Sequence, residues 1–328
     1  MIIVTGGAGF IGSNIVKGLN DIGESDIIVV DNLVNTEKIK NLSGLSIVDY
    51  MDKQEFYEAM LSGTGFGRVS AVLHQGACSD TMATDGRYVL HNNFTYSKAL
   101  MHFCVKNKAQ FLYASSASVY GAGTIFKEHR EHESALNAYA YSKLLFDNYI
   151  RAQKGPPIQC VGLRYFNVYG PREQHKDRMA SVAWHFRNQI LADGKVKIFQ
   201  GSDGYADGEQ RRDFVSVEDI VKINIFFMQH PDKSGIYNAG TGKCQSFNDV
   251  AVSVINSLGQ DKQDPLTLEG AINQGKIQYV PMPAALHGKY QSFTEANLDH
   301  LHSCGYEQPF LTVQQGVSRY MDYLNKNS

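Results

Sequence analysis

The chain opens on Met1-Ile2-Ile3-Val4-Thr5-Gly6-Gly7-Ala8-Gly9-Phe10-Ile11-Gly12-Ser13. The β-branched run Ile2 to Val4 reads as a buried strand. The glycines end it in a turn, and a helix over about Ser13 to Leu19 follows. Gly6 permits the tight turn, Gly9 lets the backbone approach a pyrophosphate, and Gly12 allows close helix–sheet packing. The helix N-terminus adds free N–H groups and positive dipole density. A glycine triplet alone is weak evidence. Here an acid, Asp31, also closes the next predicted strand, Ile27 to Val30, about 20 residues on, which completes a dinucleotide-binding pattern.

Outward from this turn, short apolar runs alternate with helical stretches. Strands are expected at Leu45 to Val48, Val69 to Leu73, Phe111 to Ala114 and Cys160 to Tyr165. Helices are expected around Tyr96 to Cys104 and from Tyr139 to Ala152. This alternation predicts an α/β protein, a Rossmann doubly wound parallel sheet, with ligands at the carboxyl ends of its strands. Beyond Gly170-Pro171 the alternation weakens, Gly201 to Arg212 reads as polar loop, and Gln260 to Lys276 as a surface loop or insertion. The expected organisation is a nucleotide-binding domain over 1–168, with segments near 212–238 returning to it, and a smaller α/β C-terminal substrate domain over 169–328.

The composition narrows the function classes. The 328 residues are 43% apolar, with 31 Lys+Arg against 33 Asp+Glu and a net charge of -2, so no basic field invites nucleic acid or an anionic membrane. No apolar run is long enough for a transmembrane helix. Five cysteines, at 78, 104, 160, 244 and 304, form no CxxC pair and suggest reduced thiols in the cytoplasm. His129 and His132 stand among Glu128, Glu131 and Glu133, but without a closed ligand set they read as solvated loop, so no metal is expected.

Asp31 suits an adenosine ribose and by itself argues for NAD, whereas Lys38 and Lys53 offer charge for the 2′-phosphate of NADP. The pattern leaves both open. Tyr139 and Lys143 share one helical face. Oxidising an alcohol requires its proton to leave as hydride moves to a nicotinamide, and a nearby ammonium favours the phenolate. Ser116, at a strand end, is placed to donate to the reacting oxygen. Tyr141, two residues from Lys143, points elsewhere.

With MIIVTGGAGFIGSNIVK, QGACSDT, FLYASSASVYG, YAYSK, RYFNVYGPREQHKDRMASVAWH, RRDFV and GKYQSFT, the chain resembles the extended short-chain dehydrogenase/reductases. Along nearly its whole length it is similar to their ADP-heptose 6-epimerase branch of lipopolysaccharide-core synthesis. The resemblance implies transient oxidation of C-6 of ADP-D-glycero-D-manno-heptose by bound NADP, with Tyr139 and Lys176 as the two proton-handling groups. It implies cofactor contacts at Phe10, Ile11, Asp31, Asn32, Lys38, Lys53, Gln75, Gly76, Ala77, Cys78, Ser79, Asn92, Lys143, Val168 and Lys176, besides the glycine turn. It implies substrate contacts at Ser116, Asn167, His185, Phe199, Gln200, Gly201, Ser202, Arg212 and Tyr290, and a homo-oligomer, commonly a pentamer. Arg178 stands where the family usually has a substrate-contacting serine, and it retains reach to phosphate. Gln75 replaces an acid. The same residues would serve another nucleotide-sugar epimerase, a dehydratase or a net oxidoreductase. A cofactor-sensing binder is disfavoured by the intact Ser116, Tyr139 and Lys143.

Overall fold

The computed structural model describes residues 1–63, 65–153, 155–259, 264–283 and 291–327. The chain forms two compact units. The first comprises Met1–Tyr165, Ile220–Ala239 and Asp299–Glu307; the second comprises Phe166–Asp219, Gly240–Leu298 and Gln308–Ser328.

The first unit carries a seven-stranded parallel sheet. Its strands are β1 (Ile2–Thr5), β2 (Ile27–Asp31), β3 (Asp49–Asp52), β4 (Ala71–His74), β5 (Gln110–Ser116), β6 (Cys160–Tyr165) and a last strand, Gly235–Ala239. The order from one edge is Gly235–Ala239, β6, β5, β4, β1, β2, β3. Strand order therefore reverses between β1 and β4, where doubly wound sheets open a crevice at their carboxyl ends. Strands β1, β2, β4 and β6 are buried throughout. Covered on both faces, they read as continuous apolar runs.

The third strand corrects the sequence reading. Leu45 to Val48 is loop, and the strand is the following Asp49–Asp52. As the sheet edge beyond β2, it needs little apolar sequence, so its polar residues hid it.

Helix Ala138–Ala152 lies against β5 and β6 through a buried ionic cluster. Arg164 of β6, fully buried, donates Nε and Nη2 to Asp147 Oδ2 at 3.0 and 2.9 Å. Asp147 also accepts from Tyr113 Oη at 3.0 Å and Ser115 Oγ at 2.9 Å. Glu133 closes the cluster with Arg164 and Arg151. The Glu133 carboxylate of the apparent His/Glu motif is thus committed to the fold, and Glu128 accepts from the Asn238 amide at 2.8 Å.

In the second unit, Asn167–Tyr169 pairs parallel with Phe214–Ser216, and Val196–Phe199 parallel with Ile277–Val280. Arg211–Arg212 pairs antiparallel with Gln245–Ser246. Helices Val182–Asp193, Phe247–Leu258 and Val313–Lys326 contribute to its apolar core. These pairings place 211–216 here, so the segment returning to the first unit begins at Ile220 rather than near 212. The stretch 260–276 is not simply loop. Residues 260–263 lie outside the described ones, but Thr267 caps a helix over Leu268–Asn273 with its side chain. All five cysteines are free thiols, and no helix among the described residues is long and apolar enough to cross a membrane.

Removing one partner of a buried ion pair leaves an uncompensated charge, at about 3–5 kcal/mol. Arg164→Ala is therefore expected to lower the unfolding free energy by about that amount in urea titration, since Asp147 and Glu133 lose it together. A loss below about 1 kcal/mol would contradict the role given to this cluster.

Candidate active site

The glycine turn is a cradle that side chains would fill. A Cβ on Gly12 would stand 2.1 Å from Gly6 O, and one on Gly6, at φ +65, would stand 2.6 Å from Gly76 N. The turn therefore packs on itself and on the loop after β4, and Gly12 meets the turn rather than the sheet. Gly9 is the N-cap of helix Phe10–Asp21 and makes no side-chain cap, and the N-terminal end of a helix favours an anion.

Asp31, at the end of β2, is buried and already engaged. Its Oδ2 accepts from Ala8 N at 2.9 Å, and Oδ1 accepts from Asn32 N at 2.7 Å and Lys38 Nζ at 2.9 Å. Lys38 thus offsets the carboxylate that would repel a 2′-phosphate. Its ammonium also donates to the carbonyl and side chain of Asn32. Lys53 donates to Asn92 Oδ1, and burial lowers its proton affinity.

The loop Gln75 to Ser79 is fastened at both sides. Gln75 N donates to Thr5 O at 2.9 Å, and Gln75 Oε1 accepts from Tyr165 Oη at 3.0 Å. Cys78 N donates to Asn93 Oδ1 at 2.7 Å, and Asn93 Nδ2 donates to Cys78 O and Ser142 Oγ, both at 2.9 Å. Ser142 Oγ in turn donates to Tyr139 O. Asn93 occupies a π-helical turn, His91–Thr95, which redirects the chain so that its amide meets both the loop and the helix. Sequence reasoning did not single it out.

Ser116 ends β5, and its Oγ accepts from Ser118 N at 3.2 Å and Ser118 Oγ at 2.9 Å. It also acts on the Tyr139 phenol, favouring its ionised form. Asn137 caps the helix that presents Tyr139, its side chain accepting from Ala140 N. Lys143, one turn further, is buried and donates Nζ to Ala114 O at 2.7 Å. Tyr141, by contrast, is 51% exposed.

Burial acts strongly on both members of the Tyr139–Lys143 pair. It is the largest influence on Tyr139 and raises its pKa, Ser116 opposes it, and the Cys78 thiol adds to the rise. Burial lowers Lys143 to about 8, against the pull of Asp147. The free site therefore holds a protonated phenol beside a lysine that sheds its proton easily.

In the second unit, Asn167 and strand Arg211–Arg212 meet a segment that sequence reasoning only half identified. Arg211 N donates to Ser292 O at 2.9 Å, Thr294 N to Arg211 O at 3.1 Å, and Thr294 Oγ1 to Asn167 Oδ1 at 3.4 Å. Buried Asp213 anchors this edge by accepting from Thr241, Gly242 and Ala296 amides at 2.7–3.0 Å. Arg212 is buried, with its guanidinium 5.7 Å from the Phe247 ring. Phe199 ends its strand. Gln200 O and Ser202 Oγ accept from Gln210 Nε2, and Gly201 N donates to Asp207. His185 lies on helix Val182–Asp193, Val168 on strand Asn167–Tyr169, and Lys176 and Arg178 on the turn Gln174–Met179. Tyr290 lies outside the described residues.

The family model for the NAD dependent epimerase/dehydratase family matches residues 2–240. The chain belongs to that family. It is 57% identical, over 98% of either chain, to an ADP-L-glycero-D-manno-heptose-6-epimerase of Thiobacillus denitrificans. The crystal structure of the Helicobacter pylori ADP-L-glycero-D-manno-heptose-6-epimerase aligns with TM-score 0.82 at 28% identity, covering 99% of this chain and 96% of that one. A UDP-glucose 4-epimerase of Thermus thermophilus in complex with NAD aligns with TM-score 0.77 at 25% identity, covering 100% and 99%. A nicotinamide dinucleotide is the family's cofactor, and the glycine cradle with its committed Asp31 fits one.

His74 gives this site a pH signature. Fully buried at the end of β4, its ring bonds Thr5 Oγ1 at 2.6 Å and Ser97 Oγ at 2.8 Å, and burial, reinforced by Lys143, lowers its pKa to about 3. The unfolded chain takes up that proton near pH 6.5 while the folded one does not, so the contribution is complete above about 6.5 and is lost as pH falls toward about 3. Urea unfolding is expected to show a slope approaching about 1.4 kcal/mol per pH unit in that window. His74→Gln should flatten it. An unchanged slope in that variant would refute the assignment.

Proposed function

We propose that this protein interconverts ADP-D-glycero-D-manno-heptose and ADP-L-glycero-D-manno-heptose by transient oxidation at C-6, using tightly held NADP, for lipopolysaccharide-core synthesis. The observation that carries the substrate is the 57% identity, spread over 98% of the chain, to a heptose epimerase. The redox chemistry is supported within this chain by the Ser116–Tyr139–Lys143 arrangement.

The bound nicotinamide supplies a hydride acceptor at C-6 and a positive charge that favours the phenolate. Tyr139 takes the hydroxyl proton, and Ser116 holds the reacting oxygen as charge develops on it. Lys143, tethered to Ala114 O, is the group for the nicotinamide ribose. Returning hydride to the opposite face of the ketone inverts the centre and calls for a second proton-handling group, which is Lys176. Burial lowers its pKa, as such a group requires, and Glu173 opposes that shift. Arg212 is the candidate for the substrate pyrophosphate, with Arg178 taking the place of the family serine.

NADP is preferred over NAD on the Lys38–Asp31 contact. Its ammonium offsets the Asp31 carboxylate, which would otherwise repel a 2′-phosphate. A cytoplasmic location and a homo-oligomer, a pentamer by family resemblance, complete the proposal.

Mass spectrometry of the cofactor released from purified protein, together with NMR at C-6 of ADP-heptose, tests the reading. NADP should co-purify, and turnover should need none added. Stoichiometric consumption of exchangeable cofactor would instead mark a net oxidoreductase. Tyr139→Phe and Lys176→Met are each expected to lower epimerisation by about 10²–10⁴-fold with cofactor retained. A fully active double variant would discard the two-base assignment. Lys38→Ala should weaken NADP binding about 10–100-fold more than NAD binding in fluorescence titration. Equal losses would remove the phosphate-reading role.

A further inference from the structure

We propose that Glu173 is the positioning residue for Lys176: its buried carboxylate clips together the two ends of the Gly170–Ser181 loop and so sets where the Lys176 ammonium stands. This inference rests on Lys176 being the second proton-handling group.

Glu173 is fully buried. Its Oε1 accepts from Ser181 Oγ at 2.6 Å and Gly170 N at 3.3 Å, and its Oε2 accepts from Ser181 N at 2.6 Å. One carboxylate thus joins the residue that enters the loop to the residue that leaves it. Between them, Lys176 N donates to Glu173 O at 2.9 Å, and Ala180 N to Asp177 O at 2.9 Å.

The loop conformation is not one its residues favour unaided. Asp177, next to Lys176, adopts φ 49, ψ -127, and Arg172 adopts φ 71, both on the left-handed side that L residues seldom occupy. Such a conformation persists only where its surroundings over-determine it. Three hydrogen bonds to one buried carboxylate supply that constraint.

The polar groups facing Glu173 are Gly170 N, Ser181 and Lys176 on its own segment and Tyr320 on helix Val313–Lys326, with Arg187 acting on Tyr320. Burial raises the Glu173 pKa, and Ser181, Lys176 and Gly170 oppose it. Burial lowers that of Lys176, and Glu173 opposes it. Each side chain therefore sustains the charge of the other. Uncharging Glu173 should loosen the loop and move Lys176 deprotonation to lower pH.

The test measures kcat and KM from each epimer across pH, with cofactor-loaded Glu173→Gln and Glu173→Asp, alone and combined with Lys176→Met. Glu173→Gln is expected to lower kcat on the order of ten- to a hundredfold with cofactor retained and KM little changed. The pH limb that vanishes in Lys176→Met should move to lower pH in Glu173→Gln, and Glu173→Asp should recover part of the rate. In the Lys176→Met background, Glu173→Gln should add no further loss. An unmoved limb, or a loss that multiplies undiminished in that background, overturns the positioning role and leaves the two-base reading intact. A fully active Lys176→Met sinks that reading, and this inference with it. Should Glu173→Gln fail to fold, Ser181→Ala decides, because it removes one donor and keeps the charge. A severalfold loss confined to the Lys176-containing background supports the clip, and wild-type kcat refutes it.

Discussion

Desolvation of the Tyr139–Lys143 pair is the constraint on which the rest of the first unit depends. Away from water, the phenol is held protonated and the ammonium loses its proton near pH 8, so at neutral pH the lysine keeps its charge but is within easy reach of losing it. Such a pair responds strongly to any charge that arrives. The surrounding structure keeps it in that state. Ala114 O takes Lys143 Nζ, and the Asp147–Arg164–Glu133 cluster fixes the helix carrying both.

The second unit applies the same device with carboxylates. Asp213 gathers three backbone amides from two segments, and Glu173 gathers both ends of one loop. Burial raises the proton affinity of both, and the hydrogen bonds they accept oppose it. In each case a residue that would read as surface charge acts as a local organiser of backbone. Candidate ligand residues lie close to these organisers in the chain, Arg212 next to Asp213 and Lys176 three residues after Glu173.

What was legible in the sequence followed from period and turn chemistry. Cys160–Tyr165 was found to the residue because a doubly covered strand is a plain apolar run. The glycine turn, Asp31, Ser116 and the Tyr139–Lys143 face were legible because each is a short motif at a strand end or along one helix. Asp49–Asp52 was missed because an edge strand carries no such run, and Leu268–Asn273 because six residues give too few turns for periodicity. Asn93, Asp213 and Glu173 have no local signal at all. Their roles come from partners 15, 28 and 8 residues away, which only the folded chain brings together. Spacing puts Tyr139 and Lys143 on one helical face but says nothing of the burial that perturbs both.

The central claim, that hydride leaves C-6 and returns to it within one protein molecule, is tested most directly with substrate deuterated at C-6. The enzyme is incubated in ordinary water without added cofactor, and the inverted product is read by mass spectrometry and NMR. The account predicts that the deuterium remains on C-6 after inversion. Its replacement by solvent hydrogen would show that the centre is inverted through proton exchange, and would contradict the account.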